Sequence, residues 1–312
     1  MARVLVSGSL AYDRIMDFPG LFKDHFLADK LHAISVSFQV ETVGDNFGGC
    51  AGNIAYNLSL LGHEPHIIAT AGSDIERYKA HLKAHGIDTN TIRINPQGFT
   101  SSAYVMTDKA DNQIAAFSLG AGGTPYQPLP STEGAALAII GPGCVRDMQV
   151  LPQHYRAAGV PYMYDPGQAI PALSADDLKD GIAGAAAVFA NDYEFDLISK
   201  KTGWAEKDVV QKAETLVVTY GDKGSRIITK AGESSVGSVP VEDPIDPTGA
   251  GDAYRAGYIA GYLKGFDREK CAKIASALAS FTVEKYGTQT HALQPGELAT
   301  RYKERYDQDL PL

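Results

Sequence analysis

The chain has few cysteines, three in 312 residues, and Cys50, Cys144 and Cys271 lie far apart with no Cys-x-x-Cys pair. That excludes a disulfide framework, argues against a structural zinc site and implies reduced thiols. No polybasic run is present: 28 Lys and Arg are outweighed by 37 Asp and Glu, a formal net charge of -9, which argues against nucleic acid as a partner. No stretch approaches the roughly 20 uninterrupted apolar residues that cross a bilayer, so no membrane partner is expected. The N-terminus, MARVLVSGS, reads as a β-strand and not a signal peptide, so the expected location is cytoplasmic. Also missing are a Walker Gly-Lys-Ser/Thr loop, a dinucleotide fingerprint on the first strand, a His-Glu-x-x-His pair and a Gly-x-Ser-x-Gly elbow.

What remains is a chain able to bury a large core, with 44% apolar and 21% charged residues. Short apolar runs alternate with helical segments. The strands are Val4–Ser9, His66–Ala71, Leu137–Gly141, Val160–Asp165, Val188–Asn191 and Leu216–Thr219; the helices include Ile54–Leu61 and Arg77–His85. This alternation predicts an α/β fold, a doubly wound, mostly parallel sheet with helices on both faces. Ser9, Asp165, Asn191 and Thr219 end strands, and ligands of such sheets bind beyond the carboxyl ends. His63 and His66 straddle Pro65 in an expected loop.

Two regions break the pattern. Residues 31–43 alternate with period two, with Val36, Phe38 and Val40 on one face, and residues 101–119 do likewise around a turn at Asp108–Asn112. Their polar faces do not suit a buried parallel sheet, so they are read as a small antiparallel flap inserted at about 14–46 and 98–122 of a single domain, 1–312. The apolar face of the flap calls for cover, by a second protomer's flap in a homodimer or by its own domain.

Four segments carry chemistry. In DPTGAGD, Gly249 and Gly251 precede a helix, so the N–H groups of Gly249, Ala250 and Gly251 form an anion pocket with Asp252 in the first turn. A carboxylate there can take a hydroxyl proton while the pocket holds phosphoryl charge; plain capping would explain the same residues. In FGGCAGN, Gly48, Gly49 and Gly52 permit close backbone approach and Asn53 offers donor and acceptor to a polyhydroxylated ligand, or serves as an N-cap. Asp13 can accept from a vicinal diol. In NDYE, Asn191 and Glu194 share a helix face where a carboxylate can bind Mg²⁺ through water; a capping box fits equally. In TYGDKG, Thr219, Gly221 and Gly224 suit a nucleotide's phosphates or a plain hairpin.

GGCAGN, NDYE, VVTYGDKG and DPTGAGD, in that order over almost the whole chain, resemble the motifs of the ribokinase-like (PfkB) carbohydrate and nucleoside kinases. The resemblance implies Asp252 as base and Gly249, Ala250 and Gly251 as anion hole. It implies Mg²⁺ and ATP held around Asn191, Glu194, Thr219, Gly221 and Gly224, and a substrate held by Asp13, Gly48, Gly49 and Asn53. Asp246 and Thr248 match positions that in many relatives help bind K⁺. The finer resemblance, over SGSLAYD, DKLHAISVSFQV and QIAAFSLGA, is to bacterial adenosine kinases, where residues matching Ser9, Ser37, Phe117 and Gln168 line the nucleoside pocket. Phe117 offers a purine a stacking face. Ala172 and Ala103 depart from the Arg and the aromatic expected there. The reading is an ATP-dependent kinase of a purine nucleoside 5′-hydroxyl, with adenosine as the expected substrate, or else a kinase of another nucleoside or of a free sugar such as ribose.

Overall fold

Residues 2–26, 35–110 and 112–310 are described in the computed structural model. β1 (Arg3–Ser7) leads directly into β2 (Ala11–Asp17), and β3 (Thr42–Gly48) runs into α1 (Cys50–Leu60). Then come β4 (Glu64–Ile68), β5 (Thr70–Ala71), α2 (Glu76–Ala84), β6 (Arg93–Ile94), β7 (Ser101–Thr107) and β8 (Gln113–Ser118). The middle of the chain holds β9 (Ala135–Ile140), α3 (Val145–Ala158), β10 (Tyr162–Tyr164), α4 (Ala175–Ile182), β11 (Ala187–Asn191), α5 (Asp192–Thr202) and α6 (Glu206–Lys212). It ends with β12 (Thr215–Thr219), β13 (Ser225–Thr229), β14 (Gly232–Val236), α7 (Ala250–Leu263), α8 (Arg268–Val283) and α9 (Glu297–Tyr306).

Eight strands form the main sheet in the order β14-β13-β12-β11-β10-β9-β1-β4. It is parallel from β12 to β4, and β13 and β14 add an antiparallel edge. The strands read as continuous apolar runs because both faces are covered. Alternate residues serve opposite layers: Val4, Val6, Leu137, Ile139 and Val217 pack with Ile54, Leu58, Tyr258 and Leu278 of α1, α7 and α8. Leu5, Ala138, Ile140, Leu216 and Val218 pack with Met148, Leu151, Leu178 and Ile198 of α3, α4 and α5. The fold is therefore the doubly wound α/β layer structure anticipated.

Local expectations fared unevenly. The run His66–Ala71 divides: β4 joins the main sheet, while β5 pairs with β6 in a sheet of its own. Pro65 and His66 lie within β4 and not in a loop. Proline is tolerated there because β4 is the outermost strand.

A second sheet, β3-β2-β7-β8, stands over the strand ends. β2 pairs antiparallel with β3, β7 antiparallel with β8, and the middle pair, β2 and β7, is parallel. The period-two segment predicted over 31–43 is not a strand where it is described: 35–40 is irregular, residues 31–34 lie outside the described residues, and the strand begins at Thr42. Phe38 explains the difference. Its ring meets Phe18 edge-on with centroids 4.9 Å apart and Phe22 at 5.3 Å, so Phe38 turns inward to an aromatic cluster while Val36 on the same predicted face stays exposed. Phe38 is thus covered by its own chain.

Candidate active site

Between the second sheet and the carboxyl ends of the main sheet lies a cleft of about 430 Å³. Ser9, Asp165, Asn191 and Thr219, the four polar strand ends picked out from sequence, all line it. α7 points its N-terminus into it, with Gly249, Gly251 and Asp252 on the wall, and β2, β7 and β8 contribute Asp13, Ala103 and Phe117.

Gly249 caps α7 in the left-handed conformation, φ 81°. Ala253 N–H donates to the Gly249 carbonyl at 2.9 Å, which leaves the first N–H groups of the helix without an intrahelical partner. One correction follows for the anion hole. Ala250 N–H donates to the Pro247 carbonyl at 3.2 Å, closing the turn, so of the three residues expected in the hole Gly249 and Gly251 are the ones whose backbone borders the cleft. Ala250 does not line the cleft.

Asp252 is half-buried, and loss of water around its carboxyl pushes its pKa up to about 7, against the lowering influence of Asn53 and Arg255. Asn53 Nδ2 donates to Asp252 Oδ2 at 2.8 Å. Asn53 is not an N-cap: Gly49 caps α1, and Asn53 sits one turn in, almost fully buried. Its Oδ1 accepts from Gln289 Nε2 at 2.9 Å, so its amide engages protein on both sides.

Asp13 lies on β2 opposite Asn46, and burial together with the neighbouring Asp246 raises its pKa to about 6. Gly48 acts by what it lacks. A Cβ there would come 2.2 Å from Asp13 Oδ2, so the missing side chain is the space the carboxylate occupies. Gly49, at φ 87°, would carry a Cβ 2.6 Å from the Ser9 carbonyl. Ser9 Oγ accepts from Cys50 N–H at 3.2 Å, and Gln168 Nε2 approaches Cys50 Sγ at 3.7 Å. Both Ser9 and Gln168 line the cleft. Ser37 does not; it is exposed in the irregular segment. Phe117 is 58% exposed at the mouth, opposite Ala103 on the neighbouring strand, whose methyl leaves the ring uncovered.

At the other end Asn191 Oδ1 accepts from Glu194 N–H, and Asn191 N–H donates to Glu194 Oε2, both at 2.8 Å. The capping box is therefore real, and it holds Glu194 on the cleft wall with its second oxygen available. Burial raises the pKa of Glu194. Among the described residues no three His, Cys, Asp or Glu side chains gather as a metal site. One carboxylate beside an anion hole fits a hydrated Mg²⁺ arriving with a phosphate ligand and not a resident metal. Gly221 and Gly224 lie outside the cleft in the β12–β13 hairpin turn, beside Thr219, which lines it. Asp246 accepts from Thr248 N–H at 2.9 Å and Gly287 N–H at 3.0 Å, so both its oxygens brace backbone; Thr248 borders the cleft.

Sequence reasoning passed over three participants. Arg255 Nε donates to Asp165 Oδ2 at 2.8 Å and its Nη1 to the Gly251 carbonyl at 3.1 Å, tying the end of β10 to the first turn of α7. The signal was a single Arg inside the apolar helix AYRAGYIAGY. Tyr78 and Gln289, behind Asn53, are the other two, and no local pattern marks them.

The pfkB family carbohydrate kinase domain matches residues 1–295. A nucleoside kinase of Methanothermobacter thermautotrophicus is 31% identical over 99% of this chain and 98% of its own. Among solved structures, the Burkholderia thailandensis nucleoside kinase in complex with inosine superposes with a TM-score of 0.85 at 34% identity, covering 99% of both chains. The Methanocaldococcus jannaschii nucleoside kinase, an archaeal member of the ribokinase family, gives a TM-score of 0.88 at 30% identity over 97% of this chain and 99% of that one.

Proposed function

The chain belongs to the pfkB family of carbohydrate kinases, and from that membership we propose that it is an ATP-dependent nucleoside kinase acting on the 5′-hydroxyl of a purine nucleoside, adenosine first. The observation that carries this reading is the meeting of Asp252, with its pKa raised to about 7, and the α7 N-terminus in one cleft with an exposed aromatic at its mouth. Asp252 accepts the proton of the attacking hydroxyl as the oxygen bonds to the γ-phosphorus and the bridging bond to ADP breaks. The N–H groups of Gly249 and Gly251 hold the charge on the transferring group.

Asp13 accepts from the ribose 2′ and 3′ hydroxyls and so aims the 5′-oxygen at Asp252; such positioning is a large part of catalysis in a reaction of this kind. Asn191, Glu194 and Thr219 border the triphosphate. Mg²⁺ bound to the nucleotide would supply charge neutralisation of the phosphates, with Glu194 ordering its water shell. K⁺ would sit by Asp246 and Thr248. Phe117 stacks on the base, and Ala103 opposite it leaves room for more than one purine.

Inosine is the competing acceptor, because the Burkholderia relative was solved with it. Comparing kcat/KM for adenosine, inosine, guanosine and ribose with saturating MgATP decides among them. Purine nucleosides should exceed ribose by orders of magnitude; a preference for ribose overturns the nucleoside reading.

A further inference from the structure

Behind Asp252 runs a chain of buried hydrogen bonds whose direction is fixed at its far end. Tyr78, on α2 and fully buried, places its hydroxyl 2.7 Å from the Gly48 carbonyl. A carbonyl only accepts, so the single phenolic proton is committed there. Toward Gln289, 2.6 Å away, the Tyr78 oxygen can then only accept, which requires the Nε2 end of the Gln289 amide. That same NH₂ faces Asn53 at 2.9 Å, so Asn53 must present Oδ1 to it and Nδ2 to Asp252. Gln289 Oε1 meets His81 Nε2 at 3.1 Å, consistent with the same orientation when that nitrogen carries the proton. The glycine motif is part of the device. A Cβ on Gly52 would lie 2.0 Å from the Tyr78 oxygen and 3.1 Å from Gln289 Nε2, so the relay passes through the space Gly52 leaves.

We propose that Gln289, locked by Tyr78, is a positioning residue that forces Asn53 to act as a one-way donor to Asp252, occupying Oδ2 and leaving Oδ1 for the acceptor hydroxyl. With the amide reversed, Asn53 would turn a carbonyl on the carboxylate, repelling the ionised form the reaction needs. The other groups facing Asp252 are Arg255 on its own helix, Asp165 at the end of β10 and Cys50 on α1. None of these three hydrogen-bonds to Gln289, and Tyr78, which does, also lies within the field of Asp252, so among the described residues the hydrogen-bonded route from 289 to Asp252 runs through Asn53.

The role presupposes Asp252 as the base, and the test separates the two ideas. Gln289→Met, neutral and of similar length, should move the acid limb of the kcat–pH profile upward by about one unit, a tenfold loss of rate at pH 6. KM for MgATP should stay unchanged. On an Asn53→Ala background the same substitution should move nothing further. Tyr78→Phe, which unlocks the direction while keeping the ring, should shift the limb the same way by less, and it stands in if Gln289→Met does not fold. Carbon-13 NMR titration of Asp252 reads the carboxyl without turnover. An unmoved limb in folded Gln289→Met, or in folded Tyr78→Phe where Gln289→Met does not fold, or an equal shift with and without Asn53, overturns the relay. Turnover surviving in Asp252→Asn instead overturns the base.

Discussion

The guanidinium of Arg255 and the carboxylate of Asp165 form a buried ion pair at 2.8 Å, joining residues 90 apart in sequence, with 8% and 5% of their side chains exposed. Phe189 lies beneath the guanidinium, 5.3 Å from its ring centre. Breaking one side of such a pair strands the other charge. Arg255→Met or Asp165→Leu should each cost about 3–5 kcal/mol, and the double variant carrying both should recover much of that loss. Urea unfolding of the three proteins measures it; additive losses would mean the pair is not coupled.

Removing the charge of Asp252 should separate chemistry from binding. Asp252→Asn keeps shape and an acceptor for Asn53, and kcat should fall by about 10²–10⁴-fold while nucleoside affinity by calorimetry stays within a few-fold. The same variant should gain stability at high pH. A carboxyl whose folded pKa is raised contributes stability only below its unfolded value near 4, and loses it as pH rises through about 7. The Tm difference between variant and parent should therefore grow from pH 4 to pH 7 and then level off.

Rate should depend on two carboxylates. In the proposed mechanism both work ionised, so kcat/KM for the nucleoside should climb as pH rises through about 7 with Asp252 and fall more steeply below about 6, where Asp13 also takes a proton. Asp13→Asn should remove the lower break and leave the upper one. A profile flat from pH 5 to 8 would contradict both assignments.

The two adjacent glycines should fail differently. Gly49→Ala forces a side chain to φ 87° against the Ser9 carbonyl and should lower stability by on the order of 2–3 kcal/mol in chemical denaturation. Gly48→Ala displaces the Asp13 carboxylate, so its main effect should be a raised KM for nucleoside, measured in steady-state kinetics.

Phe117→Ala should raise KM for purine nucleosides about tenfold, the worth of one stacking contact, with little effect on KM for ribose. An equal effect on both would remove the ring from base recognition.

Much of this was readable because the signals are local. Apolar runs ending in Ser9, Asp165, Asn191 and Thr219 define strand ends, and parallel pairing lines those ends along one edge. The glycine segments announce helix N-termini. What escaped depends on distance. Tyr78 sits in an ordinary amphipathic helix, and Gln289 lies in a loop 236 residues from its partner Asn53. Residues 35–40 alternate as a strand would, but Phe38 alternates into an aromatic cluster with Phe18 and Phe22. Periodicity reports which side is buried and not what buries it.

The span between Asn53 and Gln289 has a meaning for synthesis. A ribosome adding about 5–20 residues per second takes roughly 10–50 s to pass from one to the other. During that time the α1 segment is without α7 and without the loop that pairs with Asn53 and Asn57 in the folded protein, and Tyr56 has no His291 carbonyl to reach. The nascent chain therefore lacks both Asp252 and the α7 N-terminus that line the cleft.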